Sequence, residues 1–214
     1  MRGAATIGIS LLLVPLGAGA QPLPTFKATA QGSFMLPLAL QNPVFNGLTS
    51  TMGQVDGAFN LPLYKGIGIG AGVNGTWYEL NENALSPAVT AGTTDRLLAY
   101  GKLWWGRYTG PRTFFLVDAK LGRSTWDWQC TTCRQNERQT GFHWALDAGY
   151  FVHASDNLAF GVLLGYQEDA YNFGPGVIGL ERFPGRTDMG GRYRFLTVGL
   201  GFTTGFQRSR ERDW

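Results

Sequence analysis

The sequence predicts an all-β protein: a closed, eight-stranded, antiparallel up-and-down transmembrane β-barrel. Three observations predict it. Most of the chain alternates with period two, bulky apolar residues on one side and Gly, Ala, Thr and a few charges on the other. Of its 214 residues only 15% are charged, and 31 are Gly, against about 25% and about 7% in an average soluble domain. Short turns also alternate with long links between the alternating runs.

Met1–Ala20 reads as an address. Arg2 is followed by Ile7, Ile9, Leu11, Leu12, Leu13 and Val14, and the stretch ends Ala18-Gly19-Ala20. One early cation, a short apolar core and small closing residues make a secretory signal peptide rather than a membrane span, with cleavage expected before Gln21. No later run reaches about 20 apolar residues, so no membrane helix is expected. The expected organisation is a signal peptide over 1–20, a barrel over 21–206 and a short basic tail over 207–214.

Period-two alternation between turn residues predicts strands. The first runs from Phe26 to Phe34, with Phe26, Ala28, Ala30, Gly32 and Phe34 on one face and Lys27, Thr29, Gln31 and Ser33 on the other. The second sets Val55, Phe59, Leu61 and Leu63 against Gln54, Asp56 and Asn60, and the third sets Ile67, Ile69, Val73 and Trp77 against Gly68, Gly70, Gly72 and Asn74. The fourth has Leu97, Leu103 and Trp105 opposite Arg96, Tyr100, Lys102 and Trp104. The fifth has Phe115, Val117 and Leu121 opposite Phe114, Asp118 and Lys120. In the sixth, Phe142, Trp144, Leu146 and Tyr150 face away from His143, Asp147 and Gly149. In the seventh, Phe160, Val162, Leu164 and Tyr166 face away from Gly161, Gly165 and Gln167. The eighth is the cleanest: Leu196, Val198, Leu200, Phe202 and Phe206 against Thr197, Gly199, Gly201, Thr203 and Gly205.

Eight strands enclose room for side chains and little else. A bulky face this rich in Phe, Trp and Leu, beside a face this rich in Gly, therefore points outward into lipid, with the small residues packed inside. Closure also satisfies every backbone donor and acceptor, as lipid requires. Tyr64–Gly66, Tyr108–Pro111 and Ala154–Asn157 form the short turns; Met35–Met52, Asn81–Asp95, Arg123–Thr140 and Glu168–Gly191 form the long links. Short periplasmic turns and longer outer loops put both chain ends on the periplasmic side. Trp105, Tyr108 and Phe206 are then expected at the inner interface, and Trp77, Trp144 and Tyr166 at the outer one.

On these features the chain resembles the small eight-stranded outer-membrane barrels of the OmpA/OmpX type, within the broad outer-membrane β-barrel domain family. The resemblance covers residues about 25–206 and rests on the architecture and on Tyr193–Phe206, a closing strand like those read by the barrel-assembly machinery. Such barrels usually end on the aromatic residue itself, whereas Gln207–Trp214 follow here. The resemblance implies a bacterial outer-membrane location and, as partners, the barrel-assembly machinery, the lipopolysaccharide outer leaflet and an extracellular or envelope partner at the loops.

Six inward positions carry charge: Lys27, Asp56, Lys102, Asp118, Lys120 and Asp147. All but Lys27, which is expected lower, fall near mid-barrel, while Arg96, Tyr78 and His143 are expected nearer the outer mouth. The six either line a polar pore or pair into a network that plugs a narrow barrel; equal numbers of each sign favour the plug, because pairing offsets the cost of burying charge. Cys130 and Cys133 form a CxxC in the third long link, read as a loop-stiffening disulfide in a secreted chain, since no thioredoxin-like context accompanies it. Trp126 and Trp128 belong either to the outer girdle or to a binding tip on a long loop.

His153, Ser155 and Glu168 have a spacing that invites comparison with an outer-membrane lipid A deacylase. They fall at opposite ends of the seventh strand, more than about 20 Å apart, too far for a nucleophile and its base. Nothing else suggests catalysis, a metal or a cofactor. A formal charge of +3 with scattered Lys and Arg is a poor footprint for nucleic acid. The expectation is a non-enzymatic outer-membrane protein presenting loops or supporting the envelope, with a narrow channel or an outer-leaflet lipid-modifying enzyme as alternatives.

Overall fold

The structure is a computed structural model that describes residues 23–40, 49–81, 92–130, 138–173, 175–178 and 191–206. They form eight antiparallel strands in chain order: β1 Thr29–Ala39, β2 Thr49–Tyr64, β3 Ile67–Leu80, β4 Gly92–Tyr108, β5 Thr113–Cys130, β6 Arg138–His153, β7 Leu158–Phe173 and β8 Gly191–Gly205. Each strand pairs with its sequence neighbours, and β1 closes on β8 to complete the barrel. The closing seam is continuous, running from Thr29 opposite Gly205 to Ala39 opposite Phe195. Among the described residues every strand has a neighbour on both sides, so the wall closes on itself with no free edge strand.

The faces obey the alternation. Phe34, Phe59, Ile69, Leu103, Leu146, Val162 and Leu200 are exposed on the outside, whereas Asp56, Tyr100, Lys102, Asp118, Lys120 and Asp147 are buried inside. Val198, Leu200 and Phe202 all face outward, with Leu200 66% exposed. On β8 the outward apolar run from Leu196 to Phe206 stands about 25 Å tall, at about 3.3 Å per residue and a tilt of about 40°.

Three details differ from the sequence reading. β1 begins at Thr29, and Phe26 turns inward to pack against Trp104, Tyr108 and Phe114. Residues 23–28 therefore cross the barrel's end instead of extending its wall, and Lys27 is exposed there, outside the interior charge set. Tyr108 is likewise no interface residue. It shares the inward side of β4 with Trp104 and hydrogen-bonds His153 Nε2 at 3.3 Å; Tyr64 and Tyr150 are the exposed tyrosines at that end.

The strands also run further toward the long links than expected: β1 reaches Ala39, β5 Cys130 and β7 Phe173. On β5 and β7 alternation continues through polar residues, which ladder hydrogen bonds accommodate as readily as apolar ones; on β1 it continues through Met35–Ala39, with Leu36 and Leu38 outward. The end bearing the short turns, residues 23–28 and Phe206 is the turn end, the opposite one the loop end. Residues 1–20, the tail 207–214 and Cys133 lie outside the described residues.

Interior glycines are needed where strands crowd. A Cβ on Gly199 would collide with the Phe34 carbonyl across the closing seam, whereas one on outward-facing Gly57 would meet nothing within 4 Å. Gly199→Ala is expected to destabilise the refolded barrel by about 1–3 kcal/mol through overpacking, and Gly57→Ala to stay within about 0.5 kcal/mol of the parent. Urea midpoints of the two variants check this.

Candidate functional site

The interior is filled in four layers. At the turn end, Met35, Trp104, Phe114, Leu116, Phe151, Ala159 and Leu163 form an apolar cluster, with Phe26 and Tyr108 packed on it. Phe114 and Phe151 stack at 5.1 Å, and Trp104 Nε1 donates to the Ile69 carbonyl at 3.1 Å.

The next layer is ionic. Lys102 Nζ lies 2.9 Å from Asp118 Oδ2 and donates to Gln31 Oε1, also at 2.9 Å. Lys120 Nζ sits between Asp147 at 2.9 Å and Asp56 at 3.3 Å, with its ammonium 4.7 Å above the Tyr100 ring. Tyr100 OH donates to Asp56 at 2.7 Å, and Asn74 Nδ2 donates to the same carboxylate. Each of these residues occupies an inward position of a tilted strand, so β1 through β6 all contribute to one network. Of the six charged residues expected inside, the structure brings five together and leaves out Lys27.

Above it lies a second polar layer that the alternation reveals only in part. Arg96 reaches across the lumen from β4: Nη1 is 3.4 Å from Asp169, and Nη2 donates to Gln54, Asn74 and Gln167 at 3.0–3.2 Å. Asp169 also accepts from His143 Nδ1 at 2.8 Å and from Trp126 Nε1 at 3.1 Å. His143 therefore pairs with Asp169 and not with its strand neighbour Asp147. The sequence reading leaves Asp169 in a long link; continuing β7's alternation past Gly165 and Gln167 puts it inward, and that signal is present in the sequence.

Toward the loop end the bore closes on rings. Tyr78, Trp126, Trp128, Tyr193 and Phe195 are all buried, Trp126 completely. Trp126 stacks on Tyr193 at 4.6 Å, and the Arg96 guanidinium sits 5.7 Å from its ring. Trp126 and Trp128 are thus neither girdle nor loop tip. They lie on β5, which extends through the region read as a loop, and even-numbered positions on β5 face inward. Val177, in the short 3-10 turn Pro175–Ile178, is buried as well. Trp77 on the outer wall is partly exposed, and Trp144 packs beside Tyr166 at 5.3 Å.

His153, Ser155 and Glu168 are not brought together. His153 ends β6 at the turn end and Ser155 lies in the adjoining turn. Glu168 is ten residues up β7, roughly 30 Å along the strand, held by Tyr166, Arg192 and Arg194.

No known family profile and no curated protein matches the chain. Solved structures do. Neisserial surface protein A superposes with a TM-score of 0.50 at 11% identity, covering 84% of this chain and 97% of that one. OprG of Pseudomonas aeruginosa gives 0.47 at 8% identity over 84% and 96% of the two chains, and Ail of Yersinia pestis 0.45 at 9% over 83% and 97%. The fold is that of the small eight-stranded outer-membrane barrels.

Removing one partner of a buried ion pair leaves an uncompensated charge, a loss of about 3–5 kcal/mol. Lys102→Met is expected to lower the unfolding free energy by that order. Adding Asp118→Leu to it should recover most of the loss, because the double variant buries no orphan charge. Urea unfolding of the folded barrel, read by tryptophan fluorescence, compares the two.

Proposed function

We propose that the protein is an integral outer-membrane barrel, non-enzymatic, that presents its loop end for surface interaction or envelope support. One observation carries the reading: the apolar residues encircle the outside of a closed wall whose interior is packed and paired. The outward apolar band, about 25 Å tall, matches the hydrocarbon thickness such barrels span. Outward charges gather toward the loop end, at Glu79, Asp95 and Arg123, at Asp127 with Arg138, and at Glu168 with Arg192 and Arg194. Exposed apolar surface of this extent is unsustainable in water.

The filled bore argues against passage of solutes. Ion pairs in the middle, rings above and Phe26 below leave the charged residues to brace the wall, as the plug reading expects. In this reading the turn end and both termini face the periplasm, and the loop end faces out. A Cys130–Cys133 disulfide stiffens the loop that continues β5; intact-mass analysis after alkylation should find no free thiol in the mature protein.

The test is membrane fractionation with gel migration before and after boiling. A closed barrel is expected in the outer-membrane fraction, migrating faster unboiled than boiled. In planar bilayers the folded protein should give no large, stable channels, and a deletion strain should keep its lipid A mass profile. Recovery in the aqueous fraction without detergent sinks the membrane reading; stable channels sink the plug; an altered lipid A profile sinks the non-enzymatic assignment.

A further inference from the structure

The two rims of the barrel differ in charge. At the loop end Arg138 lies 3.4 Å from Asp127, and Arg192 and Arg194 share Glu168, while Arg123 is exposed lower on β5. At the turn end Lys27, Lys65, Arg107 and Arg112 are exposed and only Asp156 is of opposite sign among the described residues. Two of these cations, Lys65 and Arg107, border the same cavity. It is open to the surface, its volume is about 400 Å³, and apart from Thr25 its lining is otherwise apolar or aromatic, including Leu23, Phe26, Leu63 and Tyr64.

Its construction is local. β2 and β3 are joined by a hairpin in which both Lys65, at φ 46°, and Gly66, at φ 82°, are left-handed. That turn favours Asn-Gly, because a residue with a Cβ is disfavoured at positive φ. A lysine there accepts a conformational cost that asparagine would lessen, and it places its ammonium at the rim, 5.0 Å from the Tyr64 ring. Gly66 O accepts from Gly106 N at 2.7 Å, tying the hairpin to β4 beside Arg107. Phe26 lies on Gly106, where a Cβ would meet its ring at 2.6 Å, and so forms the inner wall. Leu63 and Tyr64, 63% and 66% exposed, carry the cavity onto the outer apolar surface.

We infer that this cavity binds the phosphate headgroup of an anionic phospholipid in the leaflet surrounding the turn end. The inference rests on the membrane-spanning reading above. Lys65 and Arg107 take the phosphate, Arg107 being suited to its geometry, while the proximal acyl chain lies on Leu63 and Tyr64. A free phosphate makes no use of the apolar lining, and an acidic peptide makes none of its continuity with the lipid-facing wall. Cations at a membrane surface attract anionic headgroups by about five-fold in affinity each, within a Debye length.

The test uses the full chain folded into nanodiscs that mix phosphatidylglycerol and phosphatidylcholine of the same acyl chains. The lipids retained on the protein are counted by native mass spectrometry. Phosphatidylglycerol should be retained in preference, and the preference should fall about five-fold in Lys65→Asn, which suits the turn, and again in Lys65→Asn/Arg107→Gln. It should also weaken in the parent as salt is added. Arg192→Gln, on the other rim, should leave it unchanged. Equal retention of the two lipids, a preference indifferent to salt, or loss in Arg192→Gln overturns the site. The salt titration decides the matter on the parent protein even where a variant folds poorly. A chain that does not enter nanodiscs as a heat-modifiable barrel fails the membrane reading itself, and the site falls with it; a chain that enters and shows no preference fails at this site alone.

Discussion

Closing eight strands leaves a bore no wider than the side chains that fill it. Inward residues therefore find partners on the neighbouring strand, as Lys102 does in Asp118, or across the lumen on strands far away in sequence, as Arg96 does in Asp169. Arg96 is the fullest case. Its guanidinium bonds to residues of β2, β3 and β7, and its acidic partner Asp169 is held in turn from β5 and β6. One buried cation thus cross-braces six of the eight strands, counting its own. Beneath it the Lys102 and Lys120 pairs bring in β1 through Gln31. Two staggered ionic layers do from the inside what lipid cannot do from the outside: they specify which strand stands opposite which.

This arrangement separates the two jobs of a barrel sequence. The outer face needs only apolar bulk, and it varies freely among Leu, Val, Ile and Phe. The inner face needs matched shape and charge, and its glycines mark where large neighbours lean in. Gly165 makes room for Asp147 and Thr197, Gly72 for Tyr100, and Gly68 for Trp104. Glycine-rich inner strands are thus the complement of a few large inward side chains.

The wall is legible in the sequence because period two is a local signal. The faces of β2 through β8 come from it directly, and so does the burial of Asp56, Lys102, Asp118, Lys120 and Asp147. Partner choice is not legible, since it depends on the register between strands and on the shear that sets which strands meet across the bore. His143 is near Asp147 in sequence yet pairs with Asp169. Strand ends are the other gap. Polarity in the long links suggests that β5 and β7 stop early, but Trp126, Trp128 and Asp169 alternate on past the point where the outward face turns polar. Lys27 and Phe26 mislead for the opposite reason: alternation continues through residues 26–28, while the chain has already left the wall to cover the turn end.

The two ends consequently close by different physics. At the turn end, Phe26 enters from a segment that precedes the first strand, so this plug is attached at one side and rests on apolar contacts with Trp104 and Phe114. At the loop end the rings come from the wall itself: Tyr78 from β3, Trp126 from β5, Tyr193 and Phe195 from β8. Such a stack is built into the strands, whereas the turn-end plug belongs to a short segment before β1. The ring-filled end is also the one from which the long links start, and its stacked rings tie the ends of β3, β5 and β8 together across the bore.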